Sequence, residues 1–275
     1  MKKLQNGLFL VVASLLLMIG VLPATAGAQS GMRYVAMGDS VAAGLGLASL
    51  ASPTTSDVAC GRSAQAYSKY VAAAWGTTVK NVACSGAETN DLYNSQSTNT
   101  VTLAPQIDAA FASGKPSVIS ITVGANDIQW TNFIKKCYVS TCGTSVDNAT
   151  AKTLRGVLRV QLFKALWYIN QKSNGNPPKV LLTGYYAPFS TAQCSDTAGL
   201  TTAEKTWVND QTAQLNQAIY SVKQWYGFAK YVPVSFAGHA LCSTTPWVQG
   251  LQAAAPFHPT AAGQKAIAKA VVSAY

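Results

Sequence analysis

Apolar and polar positions along this chain follow two distinct periods. Short, densely apolar runs at Tyr34–Met37, Val79–Ala83, Ser117–Val123, Val180–Thr183 and Ala229–Val234 read as buried strands. Between them lie longer stretches of helical spacing. Gln65–Trp75 puts Ala66, Tyr67, Tyr70, Val71 and Ala74 on one face. Ala151–Lys172 is long and amphipathic and stops before Pro177-Pro178. Thr202–Trp225 has Thr201 or Thr202 as cap and Glu204 in its first turn, and Ala261–Ala274 closes the chain as an alanine-rich helix. Strands separated by helices predict βαβ units and a mainly parallel sheet covered on both faces. In such folds the chemistry sits in the loops beyond the C-terminal strand ends.

The N-terminal segment is read as targeting and not as fold. Lys2 and Lys3 precede an apolar run from Leu8 to Leu22, and small-residue cleavage sites follow at Ala24-Thr25-Ala26 and Ala26-Gly27-Ala28. These are the parts of a secretory signal peptide, expected to span 1–28 with cleavage near Ala26 or Ala28. No linker or repeat divides the rest, so 29–275 is expected to form one domain of a secreted, extracellular protein.

Composition sharpens this reading. Six cysteines in an exported chain suggest disulfides. Cys137 and Cys142 are close enough to staple one loop; Cys60 with Cys84 and Cys194 with Cys242 would complete a sequential pattern. Zinc is disfavoured, because no Cys-x-x-Cys pair occurs and the two histidines stand far from metal-type spacing. The formal charge of +10 falls to +8 without Lys2 and Lys3, but the basic residues are scattered. A nucleic-acid surface would cluster them. Weak attraction to an anionic membrane or cell-wall surface is compatible with the balance, and the chain is expected to be a monomer.

Four segments carry candidate chemistry. Gly38-Asp39-Ser40 directly follows the first strand. Ser85-Gly86 follows the second, where glycine lets the backbone aim an N–H at a ligand. Gly124-Ala125-Asn126-Asp127 follows the third, where the Asn126 amide can reach across the sheet edge. His258, in Phe257-His258-Pro259, precedes the last helix. A serine becomes a nucleophile when a base takes its proton and donors hold the oxyanion. His239, the other histidine, stands near Cys242 and reads as structural.

Together these segments resemble the sequence blocks of the SGNH (GDSL-type) hydrolase family, in the same order and across most of the chain. The cysteines and the Gly238-His239…Cys242…Pro246-Trp247 segment resemble its secreted actinobacterial esterases and lipases. The resemblance implies a flavodoxin-like three-layer α/β/α sandwich with a five-stranded sheet, Ser40 as nucleophile, His258 as base, and an oxyanion hole from the Ser40 N–H, Gly86 N–H and Asn126 side chain. It calls for no cofactor and for a small-molecule or lipid ester as substrate. A carbohydrate acetylesterase is the alternative within the family, and a non-catalytic binding protein the alternative outside it. An α/β-hydrolase elbow, which Gly38-Asp39-Ser40-Val41-Ala42 loosely fits, is disfavoured because Ser40 follows the first strand.

Two departures stand out. Val41 replaces the family's usual leucine. Ala255 stands where the family usually has the Asp of Asp-x-x-His, and no acidic residue follows Asp210. A backbone carbonyl can accept the Nδ1 proton and fix the same tautomer. The expectation is therefore a Ser-His dyad with the Ala255 carbonyl orienting His258. Asp39 and Asp127 are expected to brace their loops. Leu45, Trp130, Phe133, Tyr185, Tyr186, Phe189 and Trp247 are candidates for lining the acyl site.

Overall fold

The computed structural model describes residues 31–275; the expected signal segment lies outside the described residues. In chain order the elements are β1 (Tyr34–Gly38), α1 (Ser40–Ala43), α2 (Thr55–Cys60), α3 (Tyr67–Ala74), β2 (Val79–Asn81), β3 (Gln96–Ser97), β4 (Thr102–Leu103), α4 (Gln106–Phe111), β5 (Val118–Thr122), α5 (Trp130–Val139), α6 (Ser145–Lys172), β6 (Lys179–Thr183), α7 (Thr202–Lys223), β7 (Ala229–Val232) and α8 (Ala261–Ala274).

The five expected strands form one parallel sheet in the order β2-β1-β5-β6-β7. β1 and β5 are buried along their whole length, as their unbroken apolar runs require. α3 and α8 pack together on one face, and α6 and α7 with α4 on the other. The three-layer α/β arrangement follows because a parallel sheet must have both faces covered. β3 and β4 make a separate short hairpin.

The chain leaves β1 toward β2, then returns to the other side at β5. The strand order therefore reverses between β1 and β5. A crevice opens at their C-terminal ends, which is where open α/β sheets bind ligands.

The long helix begins six residues earlier than the spacing predicts. Thr144 accepts the Asp147 N–H, and Asp147 accepts the Thr144 N–H, a reciprocal cap that starts α6 at Ser145. α5 also was not read from the sequence; it starts after Gln129, which sits in the left-handed region at φ 55°. The disulfides pair Cys60–Cys84, Cys137–Cys142 and Cys194–Cys242.

Candidate active site

β1 ends in a turn that only glycine can make. Gly38 has φ +126°, and a Cβ there would lie 1.9 Å from the Thr122 carbonyl oxygen of the neighbouring β5. Buried Gln106 grips the same residue from α4, accepting the Gly38 N–H at 2.7 Å and donating to the Gly38 carbonyl at 2.9 Å. Asp39 then caps α1 by accepting the Val41 N–H at 2.9 Å. Ser40 is thus the first residue of a short helix standing on the sheet edge.

His258 comes to it from the other end of the chain. Its Nε2 lies 2.7 Å from Ser40 Oγ. The loop that carries it is pinned to 247–249 by main-chain bonds: Phe257 N–H to Gln249 O (2.9 Å), Gln249 N–H to His258 O (2.8 Å) and Thr260 N–H to Trp247 O (2.8 Å). Phe257 has φ 66°, uncommon for a residue with a side chain, and turns the backbone so that the next residue faces Ser40. Its carbonyl accepts the Tyr186 hydroxyl at 2.7 Å. α8, capped by Thr260, secures the far side. Fully buried Gln264 accepts the Tyr67 N–H at 2.7 Å and donates to the Val41 carbonyl at 2.9 Å, tying α8 to the serine helix.

The Ala255 carbonyl, expected to orient the imidazole, shares that work with its neighbour Pro256, which makes the direct contact with Nδ1. His258 Nδ1 lies 3.1 Å from the Pro256 carbonyl oxygen, while the Ala255 carbonyl accepts the main-chain N–H of His258 at 3.2 Å. The left-handed turn at Phe257 brings the ring back over the carbonyls that precede it. A carbonyl can only accept, so Nδ1 carries the proton and Nε2 presents its lone pair to Ser40. No ion pair among the described residues involves His258. Desolvation holds its pKa below the usual 6.5, partly opposed by the Pro256 and Ala255 carbonyls.

The two donor loops flank this pair. Gly86 has φ +79° with only Gln96 Nε2 near an added Cβ, at 3.9 Å. The turn is fixed by the Cys60–Cys84 disulfide, by Ser85 donating to the Cys60 carbonyl at 2.7 Å, and by Gln96 donating to the Ser85 carbonyl at 3.0 Å. Asn126 Nδ2 donates one hydrogen to the Ala87 carbonyl at 2.9 Å, which links the Asn126 loop to the glycine turn. Its second amide hydrogen remains available. Among the described residues neither the Ser40 N–H nor the Gly86 N–H has an acceptor. Ser40, His258 and Asn126 border one cavity; Gly86 does not line it but lies in the turn that Asn126 reaches through Ala87.

Both aspartates brace their loops, and Asp39 does more. The Tyr185 hydroxyl donates to Asp39 Oδ2 and accepts the Ala125 N–H at 3.2 Å. One phenol thus bridges the serine turn and the Asn126 loop. Burial pushes the Asp39 carboxyl up to about 7, against the Tyr185 and Val41 hydrogen bonds that pull it down. Asp127 accepts the Thr89 N–H at 3.0 Å and its hydroxyl; burial pushes it up to about 6.

The cavity is narrow, ≈ 30 Å³, and its walls include Trp130, Tyr185, Tyr186, Leu215 and Phe257. Trp130, Tyr185 and Tyr186 were expected there. Leu45, Phe133, Phe189 and Trp247 do not border it. Phe133 and Phe189 are core residues. Trp247 stacks on His239 with ring centroids 3.8 Å apart, and His239 Nδ1 lies 2.8 Å from the Thr245 carbonyl, so His239 is structural. Gln106, Gln249, Gln264, Pro256 and Phe257 were missed. A glutamine on the apolar stripe of α8, in line with Ile267, Ala268 and Val271, was the visible signal for Gln264.

Residues 36–266 match the GDSL-like Lipase/Acylhydrolase family. "Lipase 1" of Streptomyces coelicolor is 31% identical over 242 residues, covering 84% of this chain and 82% of that protein. Among solved structures, the extracellular lipase of Streptomyces rimosus superposes with a TM-score of 0.71 at 29% identity, covering 89% of this chain and 100% of that one. Phospholipase A1 of Streptomyces albidoflavus NA297 does so at 0.68 and 27%, covering 89% and 99%.

Proposed function

The chain belongs to the GDSL-like lipase/acylhydrolase family and is a carboxylic ester hydrolase, and within that class we propose a secreted serine esterase that works through a Ser40–His258 dyad. The observation that carries this reading is the 2.7 Å approach of His258 Nε2 to Ser40 Oγ, with Nδ1 committed to a carbonyl. Ser40 attacks the ester carbonyl as His258 takes its proton. The developing oxyanion is held by the Ser40 N–H, the Gly86 N–H and the second Asn126 amide hydrogen. His258 then gives a proton to the leaving alcohol, and the same base activates water to release the acyl group.

Exported disulfide-bearing chemistry suits an extracellular setting, and the relatives named above include an extracellular lipase. We read the protein as a monomer that acts on small or lipid esters and is drawn weakly to anionic surfaces by its net positive charge. A second reading is a glycan acetylesterase, which the smallness of the cavity beside Ser40, walled by Trp130, Tyr186 and Phe257, favours by suiting short acyl groups. Hydrolysis of a p-nitrophenyl ester series from acetyl to palmitoyl, alongside acetylated xylan, ranks the two. Activity across the series that is lost in Ser40→Ala supports the esterase. A sharp preference for acetyl on glycan selects the acetylesterase, and no turnover of any ester overturns both.

A further inference from the structure

A soluble helix that packs one face on its core usually turns charged side chains outward. α6 departs from this. Its buried face is Leu158, Leu162, Ala165, Leu166 and Ile169, yet Val157, Val160, Phe163 and Trp167 project outward, with Tyr168 at the flank stacked on Tyr93. Val160 is 57% exposed and Trp167 45%. Beyond the end of α7, Trp225 is 68% exposed and closes a groove of ≈ 590 Å³ with Arg159, Val160 and Phe163. A contiguous outward apolar strip of this kind marks an interaction surface.

The charges on α6 between its apolar side chains, and at the end of α7, are cations, while the carboxylates Glu88 and Asp91 lie in the turn beyond Tyr168. Arg159 and Lys164 are exposed on α6 among the apolar side chains, and Lys223 sits at the end of α7 over the Tyr220 ring at 5.1 Å. No acidic residue occurs between Asn148 and Lys172, nor anywhere after Asp210. Asp108, near the far end of α6, is held by Lys172 at 2.6 Å. Indole and phenol rings with flanking cations match the boundary between lipid headgroups and acyl chains, where rings sit at headgroup depth and cations reach anionic phosphates. A second copy of this chain is disfavoured as occupant, because a twofold contact would bring the same cations together.

We propose that the outer face of α6 with Trp225 docks the protein on an anionic lipid bilayer. This deepens the reading of weak anionic-surface attraction by naming the surface, and it is independent of the Ser40 chemistry. Each cation held near such a surface changes partitioning about fivefold.

The test is co-sedimentation with vesicles of ether-linked phosphatidylglycerol and phosphatidylcholine, which cannot be hydrolysed as esters, against phosphatidylcholine alone. The wild type should pellet with the anionic vesicles, less at high salt. Trp167→Ser with Trp225→Ser should lower the partition coefficient about tenfold or more, and Arg159→Gln with Lys164→Gln comparably. Both variants should keep hydrolysis of a soluble p-nitrophenyl ester within twofold, which reports on their folding. If both double variants pellet like the wild type, the named surface is wrong though the attraction stands. If the wild type does not pellet, the attraction fails too, and the ester assay still reports on the catalytic reading. Concentration-dependent dimerisation abolished by the tryptophan variant would assign the face to a second copy instead.

Discussion

His258 Nδ1 lies 3.1 Å from the carbonyl oxygen of Pro256, two residues before it in the same loop. The orienting group is therefore a neutral dipole and not a carboxylate. It fixes the tautomer but supplies no full negative charge to the imidazolium that forms when Ser40 gives up its proton.

This has a consequence for pH. Desolvation lowers the His258 pKa below 6.5, and no carboxylate partner raises it. The base is neutral above its pKa and inactive below it. The acid limb of kcat/KM against pH should therefore fall below 6.5 with a single ionisation. A midpoint above 7 would indicate an acid paired with the ring. Measuring kcat/KM on a soluble p-nitrophenyl ester from about pH 4 to 9 reads it directly.

Tyr185 holds two loops through one oxygen, so Tyr185→Phe should act on both. The buried Asp39 carboxyl loses a donor, and stability should fall by about 1–3 kcal/mol. The Ser40 turn and the Asn126 loop lose their bridge, so kcat should drop on the order of tenfold with KM nearly unchanged, since the acyl site keeps its apolar wall. Denaturant midpoints and steady-state kinetics check the two effects separately. An unchanged kcat would reduce Tyr185 to a packing residue.

Asp39 also gives stability a pH dependence. Its carboxyl titrates at about 7 in the folded protein and near its ordinary value of about 4 when unfolded. Between those values the folded state binds the extra proton. The stability it contributes is complete below about pH 4 and is lost as pH rises through 7. In Asp39→Asn urea midpoints measured from about pH 4 to 8 should show a shallower slope, with the part due to Asp127, also raised by burial, remaining.

Gly38 and Gly86 both have positive φ but should answer alanine differently. Gly38→Ala drives a Cβ to 1.9 Å from the Thr122 carbonyl, and β1 and β5 cannot both stay in register. Its melting temperature should fall by about 10 °C or more. Gly86→Ala meets nothing closer than 3.9 Å. It should cost only about 1–2 kcal/mol of backbone strain while lowering kcat about tenfold or more, because the turn re-aims its N–H. Thermal melts with kinetics on both variants separate a fold requirement from a site requirement.

The strands and the principal helices were legible because each has a strong period and a clear stop, as Ser117–Val123 and Pro177-Pro178 show. The four motif segments were legible because each follows a strand or precedes a helix. The start of α6 was visible in Thr144 and Asp147 but lay outside the amphipathic stretch. What could not be read was set by tertiary contact. Nothing local announces that Gln106 grips Gly38 across 68 positions, or that Gln264 reaches Val41 across 223. The contact of Nδ1 with the Pro256 carbonyl goes with the φ of one residue, Phe257, and side-chain-bearing residues in that region are too rare for a sequence to signal.

Every step of the proposed chemistry requires Ser40 as a nucleophile activated by His258. Incubation with a fluorophosphonate, followed by peptide mass mapping, measures it. The prediction is one adduct on the peptide containing Ser40, formed at a rate that falls by orders of magnitude in His258→Ala and follows the same single ionisation below 6.5 as ester hydrolysis. No adduct, an adduct on another residue, or a rate indifferent to His258 would contradict it.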